Sequence, residues 1–417
     1  MDTTEGSGPR FASPPQGAGD QARPAYSLYL HIPFCRHRCG YCDFNTYQGM
    51  QDLIAPYTQA LRQEIGLVGD GGSRPQVITV FFGGGTPSLL PLPSLRELFD
   101  ALRTSFVLES QVEVTLEANP GTVTAEYLSG LRGMGVNRLS FGMQSAQPQE
   151  LQLLERQHTH EDTIRSMEWA RRAGFENINL DLIYGLPRQS MSLWQETLRS
   201  ALELHPDHLS LYALTLEHGT PLRRAVLQGK HPWPDDDQAA DMYGWASEAL
   251  DRAGFAQYEI SNWARTSHPQ DDSPGLACRH NLQYWRNLPY LGLGAGAHGF
   301  AAGVRYSDVL APGNYIRRVG EGGRRGFPLS PAAARSETID ANEEMRQTMW
   351  LGLRLTREGV LDSAFAARFG FSCFEIFGHE IESLVEDGLL EWEKSEERIK
   401  LTPRGRLLGN RVFVEFV

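Results

Sequence analysis

The sequence predicts an α/β protein, a partial parallel barrel of about six strand–helix units followed by a small winged-helix-like α+β domain. Three observations predict it. Short apolar runs alternate with amphipathic helical stretches from Tyr26 to about His218, as buried parallel strands and their crossover helices do. The length, 417 residues, exceeds one ordinary small domain and suits a barrel plus an appendage. From Ala341 onward the texture changes to closely spaced helices, then a short strand pair and a basic turn.

The elements follow in order. Residues 1–24 are rich in Gly, Pro, Ser and Ala, lack the apolar stretch of a secretory signal and read as a disordered tail. Residues 25–235 are expected to form the barrel. Its strands are SLYLHI, VITVFF, EVTLEAN, NRLSFGMQS, INLDLIYGL and HLSLYAL. Its helices include Leu53 to Val68 and the stretches LPSLRELFDALRTSF, AEYLSGLRGMG, TIRSMEWARRAG and LWQETLRSALEL. Ligands of such barrels sit at the C-terminal ends of the strands. Gly83 to Gly85, Glu117, Gln144 and Asp181 all fall at or near the ends of apolar runs. Residues 236–340 are less regular, with loops such as SHPQDDSPG and GEGGRRG, and are expected to be an extension on the barrel. Residues 341–417 form the C-terminal domain.

Composition narrows the function. The formal charge of −12, with no long basic run, argues against a partner held through nucleic-acid phosphates. No stretch approaches the roughly 18 apolar residues that span a bilayer. A cytoplasmic protein whose ligand is a small molecule or another protein is the expectation. Of five cysteines, Cys35, Cys39 and Cys42 crowd together, which is not how a disulfide framework is spaced. Cys278 and Cys373 stand alone and read as structural.

Three thiolates on one short loop suit a [4Fe–4S] cluster, leaving one iron open for a further ligand. Zinc is the alternative, with His31, His37 or Asp43 as the fourth ligand it needs. Next comes Phe81-Phe82-Gly83-Gly84-Gly85-Thr86-Pro87-Ser88, where glycines ending a strand allow a close backbone approach to a ligand. Arg156 offers a fixed fork for a carboxylate. Taken singly, Glu117, Gln144, Arg156 and Asp181 would each read as a surface charge or a strand-end hydrogen bond rather than as part of a site.

The segment Tyr29-Leu-His-Ile-Pro-Phe-Cys35 to Tyr41-Cys42-Asp43-Phe44, with the motifs above in order, resembles the radical S-adenosylmethionine superfamily. Within it the resemblance is to the branch of coproporphyrinogen dehydrogenases and heme chaperones, over nearly the whole chain from Tyr26. It implies that Cys35, Cys39 and Cys42 hold the cluster and that the amino and carboxylate groups of S-adenosylmethionine chelate the open iron. Reductive cleavage of the sulfonium would then give a 5′-deoxyadenosyl radical. Gly84, Gly85, Thr86, Glu117, Gln144, Arg156 and Asp181 match cofactor-pocket positions. Tyr29, Tyr41 and His298 match less specifically, and aromatic packing explains the two tyrosines nearly as well.

Departures from the family pattern choose the branch. The dehydrogenases carry a fourth cysteine two residues after the third, where this chain has Phe44. That resembles the heme chaperones, as does His280-Asn281-Leu-Gln-Tyr284-Trp285, a motif attributed to heme handling there. A histidine can ligate heme iron while Tyr and Trp supply flat apolar surface; core packing of the same residues is the alternative. The resemblance implies cluster, S-adenosylmethionine and heme as cofactors and cargo. It further implies heme-accepting clients, membrane-associated respiratory proteins among them, and a cluster and cofactor that support dimerisation, client engagement or release. Oxidative decarboxylation of coproporphyrinogen III, or a radical methyl transfer, is the enzymatic alternative.

Overall fold

Six of the apolar runs become parallel strands in chain order: β1 (Ala25–Ile32), β2 (Gln76–Gly84), β3 (Val107–Ala118), β4 (Arg138–Gln144), β5 (Asn177–Tyr184) and β6 (His208–Ala213). The computed structural model describes residues 24–266, 274–323 and 325–417. The tail expected over residues 1–24, save Pro24, and most of the SHPQDDSPG loop lie outside the described residues. Between the strands run α1 (Ile54–Gly71), α2 (Leu92–Ser105), α3 (Ala125–Met134), α4 (His160–Arg172) and α5 (Met191–Glu203). The α/β class and the partial parallel barrel are as the sequence predicts.

Side-chain alternation divides the sheet into two unlike faces. Leu28, Leu30, Val80, Phe82, Leu116, Leu139, Phe141, Leu180, Leu182, Leu209 and Leu211 are buried in one large core, packed with helix residues such as Leu61, Leu98, Leu128, Met167 and Leu198. Each such side chain contributes about 1.5–3 kcal/mol through its removal from water. The alternate residues, Ser27, Thr79, Ser140, Asn179, Asp181 and His208 among them, are largely polar and turn to the barrel interior. There Ser140 and His208 bond Asn179, and His208 reaches the Tyr258 hydroxyl at 2.8 Å. Buried polar groups must be paired, and these networks pair them.

The extension does more than pack on the barrel. β7 (Phe255–Glu259) and β8 (Asn262–Arg265), preceded by α6 (Asp236–Arg252), continue the sheet beyond β6 in antiparallel fashion. On the opposite flank β9 (Tyr290–Leu293), reached through α7 (Arg279–Trp285), pairs parallel with β1. Antiparallel β10 (His298–Ala301), β11 (Val304–Asp308) and β12 (Ala333–Thr338) follow it, with α8 (Pro312–Glu321) inserted between the last two. The twelve strands make one sheet whose ends, β12 and β7, do not pair. The barrel is therefore partial.

Glu64 of α1 fastens this second flank. It is fully buried and accepts from the Gly294 backbone N–H at 2.8 Å, the Tyr315 hydroxyl of α8 and the Ser330 hydroxyl. Burial beside Glu64 pushes the Asp308 carboxyl well above the carboxylate range. The final residues build a separate core around Met349, Phe365, Phe377, Ile381 and Ile399. Its elements are α9 (Ala341–Gly352), α10 (Asp362–Phe369) and α11 (Cys373–Glu386), with antiparallel strands Val360–Leu361, Leu390–Glu393 and Arg398–Leu401. Helices followed by a strand pair match the expected texture, and no helix among the described residues is long and apolar enough to cross a membrane.

Glu64→Ala strands three buried donors, and is expected to lower stability by roughly 2–4 kcal/mol. The midpoint of urea unfolding measures it.

Candidate cluster and cofactor site

The cysteine loop is placed by the strands on either side of it. Beyond β1 the chain runs through Phe34–Cys35, a short strand that pairs with Tyr47–Gln48 and so closes the loop on itself. The glycine turn ending β2 then hydrogen-bonds to this segment: Gly85 N–H donates to the Ile32 carbonyl (2.8 Å) and Thr86 N–H to the Phe34 carbonyl (2.9 Å). Such closeness needs glycine. A Cβ on Gly85 would lie 2.7 Å from the Phe34 oxygen, and one on Gly84, at φ +110°, would lie 2.5 Å from the His31 ring. Thr86 Oγ1 in turn donates to Cys35 Sγ at 3.5 Å.

Cys35, Cys39 and Cys42 line one cavity of about 420 Å³, together with Tyr41, Gly84, Gly85, Thr86, Glu117, Gln144, Arg156 and Asp181. Burial pushes the Cys35 and Cys42 thiols up, partly offset by hydrogen bonds from Thr86 and Thr46. Arg156 follows a residue in left-handed conformation, Glu155 at φ +56°, and precedes α4, whose start is fixed by a Thr159–Asp162 capping box. Its guanidinium donates to Cys39 Sγ (3.5 Å), Asn119 Oδ1 (3.1 Å) and the Gly142 carbonyl (2.8 Å). Its Nε is buried with no acceptor among the described residues.

Two carboxyls line the same cavity. Glu117 accepts from the Gly84 N–H at 3.1 Å, and burial with Asp181 nearby pushes its carboxyl up to about 8. Asp181 is held by Ser140 (3.1 Å) and Asn179 (2.8 Å), and its pKa too is raised by burial. Gln144 reaches the cavity from left-handed backbone, φ +64°. An orphaned guanidinium N–H and two carboxyls lining one cavity fit a zwitterionic amino acid that carries hydroxyl groups. Three thiols on the same wall fit a multi-iron group. Among the described residues no three His, Cys, Asp or Glu side chains are placed to hold a single metal ion.

Several expected residues lie elsewhere. Tyr29 and His298 do not line the cysteine cavity. Both line a second one, of about 540 Å³, with Tyr284, Trp285, Tyr290, Arg305 and Trp350. The cavities share Phe44, Gly84 and Glu117 in their walls. His280 does not line either one. It is 1% exposed, its Nδ1 pairs with Thr79 Oγ1 (2.7 Å) and its Nε2 with the Tyr284 hydroxyl (2.9 Å). Burial lowers its pKa to about 3, so the ring is neutral. Asn281, half-buried, also lines neither cavity. Cys278 is fully buried and donates to Glu113, and burial pushes its thiol up to about 12. Cys373, equally buried, donates to Asp362.

Asn119, Ser140, Gly142 and Asn179 carry no signal of their own in the sequence. Gly142 matters because a Cβ there would lie 3.1 Å from Arg156 Nη2.

An open parallel barrel that gathers three thiols, a glycine turn and opposed charges at its strand ends has the architecture of a radical S-adenosylmethionine protein. Residues 29–201 match the model of the radical SAM superfamily and residues 339–408 that of the HemN C-terminal domain. The structure is similar to coproporphyrinogen III oxidase (HemN) of Escherichia coli, with a TM-score of 0.79, 26% identity and coverage of 94% of this chain and 90% of that one. The heme chaperone HemW of Bacillus subtilis is 38% identical over 94% of this chain and 99% of its own length. HemW of Mycobacterium tuberculosis strain H37Rv is 39% identical over 93% of each. The chain belongs to the radical SAM superfamily and, within it, to the HemW family.

Gly84→Ala is expected to cost about 1–3 kcal/mol more than Gly219→Ala. Both positions have positive φ, but only the first meets a ring, whereas nothing lies within 4 Å of the second. Parallel urea titrations of the two variants compare them.

Proposed function

We propose that this chain is a heme chaperone: it holds a [4Fe–4S] cluster on Cys35, Cys39 and Cys42, binds S-adenosylmethionine at the open iron, and carries heme in the adjoining cavity for delivery to acceptor proteins. The observation that carries the reading is the pair of cavities sharing Phe44, Gly84 and Glu117, one charged and thiol-lined, the other aromatic. Two relatives named heme chaperones, matched over almost their whole length, support it.

In this reading Arg156 takes the methionyl carboxylate with its free Nε, and Glu117 with the backbone of Gly84, Gly85 and Thr86 takes the amino group. Asp181 and Gln144 serve the ribose hydroxyls, and Tyr41 packs alongside. When bound, the cluster supplies an electron to the sulfonium. The chain's own part is to orient the cofactor and keep water from it. Tyr284 and Trp285 offer flat apolar surface to the porphyrin, and His280 acts through Tyr284. The C-terminal domain, whose α9 contributes Trp350 and Leu351 to the second cavity, covers the cargo and docks heme-accepting clients, respiratory proteins among them. The chain works in the cytoplasm, and dimerisation, client engagement or release are what the cofactor controls.

Phe44, where the dehydrogenases have a cysteine, is 63% exposed. It puts an apolar ring on the shared wall. Anaerobic incubation with reductant, S-adenosylmethionine and coproporphyrinogen III is expected to give no protoporphyrinogen IX; its appearance would restore the enzymatic reading.

Ferric heme titrated into the reconstituted protein is expected to bind at a defined stoichiometry, about tenfold more weakly in Trp285→Ala, the worth of one aromatic contact. Absence of saturable binding would sink the chaperone reading.

Glu117 supplies a pH test. Its carboxyl, raised to about 8, must lose its proton to accept from the cofactor's amino group. Affinity for S-adenosylmethionine should therefore climb with pH below 8, by up to about tenfold per unit, and level off above it. Glu117→Gln should flatten that profile. Calorimetry at a series of pH values reads both.

A further inference from the structure

Three histidines approach the second cavity, and they differ in what their nitrogens already do. His31 is buried, with Nδ1 paired to the Tyr29 hydroxyl and Nε2 to the Asn45 carbonyl, each at 3.0 Å. His280 is spent in the same way. Thr79 donates to Ser27 Oγ at 2.6 Å, so Nδ1–H of His280 donates to Thr79 and Nε2 accepts from Tyr284. That leaves no lone pair for a metal. His298 is different. It stands exposed at the start of β10 and lines the cavity, and its ring has no hydrogen-bond partner among the described residues.

Resting on the heme reading above, we propose that His298 is the side chain that ligates the iron of heme in this cavity, with Arg305 receiving a propionate. The walls suit the remainder of the porphyrin. Tyr284, Trp285, Tyr290, Trp350 and Leu351 come from α7, β9 and α9, and the volume falls within the roughly 300–1,000 Å³ of ligand pockets. Arg305 lies on the strand beside His298. It donates to Gln347 Oε1 at 2.6 Å, yet its Nε is buried without an acceptor. A buried, unpaired donor on a cation calls for an anionic oxygen.

The scaffold holds His298 in place. Its backbone pairs with Ser307 of β11, and a Cβ at Gly292 would lie 1.8 Å from the His298 carbonyl oxygen. A ligand on a strand so closely backed is pre-positioned. Partial burial and the Arg305 charge lower its pKa, which favours the neutral ring that binds metals. The histidine of the HNxxYW motif is then a positioning residue: it fixes the Tyr284 ring, and the iron ligand comes from another part of the sheet.

The test uses full-length protein with its cluster assembled, ferric heme as the probe and 15N-labelled histidine. Pulsed EPR of the heme reads coupling to a histidine nitrogen, and difference absorption reads affinity. Wild type is expected to show the coupling. His298→Ala should lose it, bind heme at least about tenfold more weakly and regain a nitrogen ligand with added imidazole. His280→Gln, which keeps a donor and an acceptor at the buried position, should retain the coupling. Coupling that survives His298→Ala but disappears in His280→Gln overturns the assignment, as does heme bound in wild type with no histidine coupling. Failure of wild type to bind heme at all instead removes the chaperone reading itself. Arg305→Gln should narrow the preference for heme over its dimethyl ester, and a wild type that binds both equally refutes the propionate contact.

Discussion

Two backbone hydrogen bonds, from Gly85 to Ile32 and from Thr86 to Phe34, set the position of everything at the mouth of this barrel. They join the end of β2 to the chain leaving β1, and they form only because Gly84 and Gly85 have no side chains. Through them the cysteine loop is tied to a strand and cannot swing as a surface loop would. The same turn brings Thr86 to Cys35 and offers the Gly84 N–H to Glu117. Neighbouring strands extend the arrangement: β3 contributes Glu117, β5 Asp181, and Gly142 of β4 leaves the opening that Arg156 fills.

A second anchor lies deeper. Glu113 of β3, on the interior face, accepts from the backbone N–H groups of Arg279 and His280 at the start of α7 and from the Cys278 thiol. The carboxylate thus ties that helix's N-terminus to the sheet. α7 carries Tyr284 and Trp285, so the aromatic wall of the second cavity is referenced to the same strands as the cysteine cavity. A salt bridge from Arg286 to Glu358 and hydrogen bonds from Arg368 to the Arg286 and Asn287 carbonyls then bring the C-terminal domain against α7. Barrel, motif and appended domain therefore form a mechanically continuous series.

Much of this was legible in the sequence. The parallel strands announced themselves as apolar runs at regular spacing, and the cysteine loop, the glycine turn and the pocket residues on successive units could be placed at strand ends. The extension was less legible. β9 is only four residues, and its parallel pairing with β1 depends on Glu64 and Tyr315, far away in the chain. His280 and His298 show the limit most clearly. Their residue types are visible, but whether a ring nitrogen is free depends on partners such as Thr79, 201 positions away in sequence. No local pattern encodes that. The polar barrel interior was equally hidden, because alternation of small polar and apolar residues reads the same whether the polar face meets water or a sealed network.

Phe44 has a consequence for communication between the cavities. It borders both, is largely exposed, and sits two residues after a cysteine whose position any cluster would fix. Phe44 lines both cavities, and any effect that an occupant of one exerts through this ring on the affinity of the other is returned in equal measure. Two occupants would then be thermodynamically linked through one aromatic side chain, with no need for the sheet itself to move.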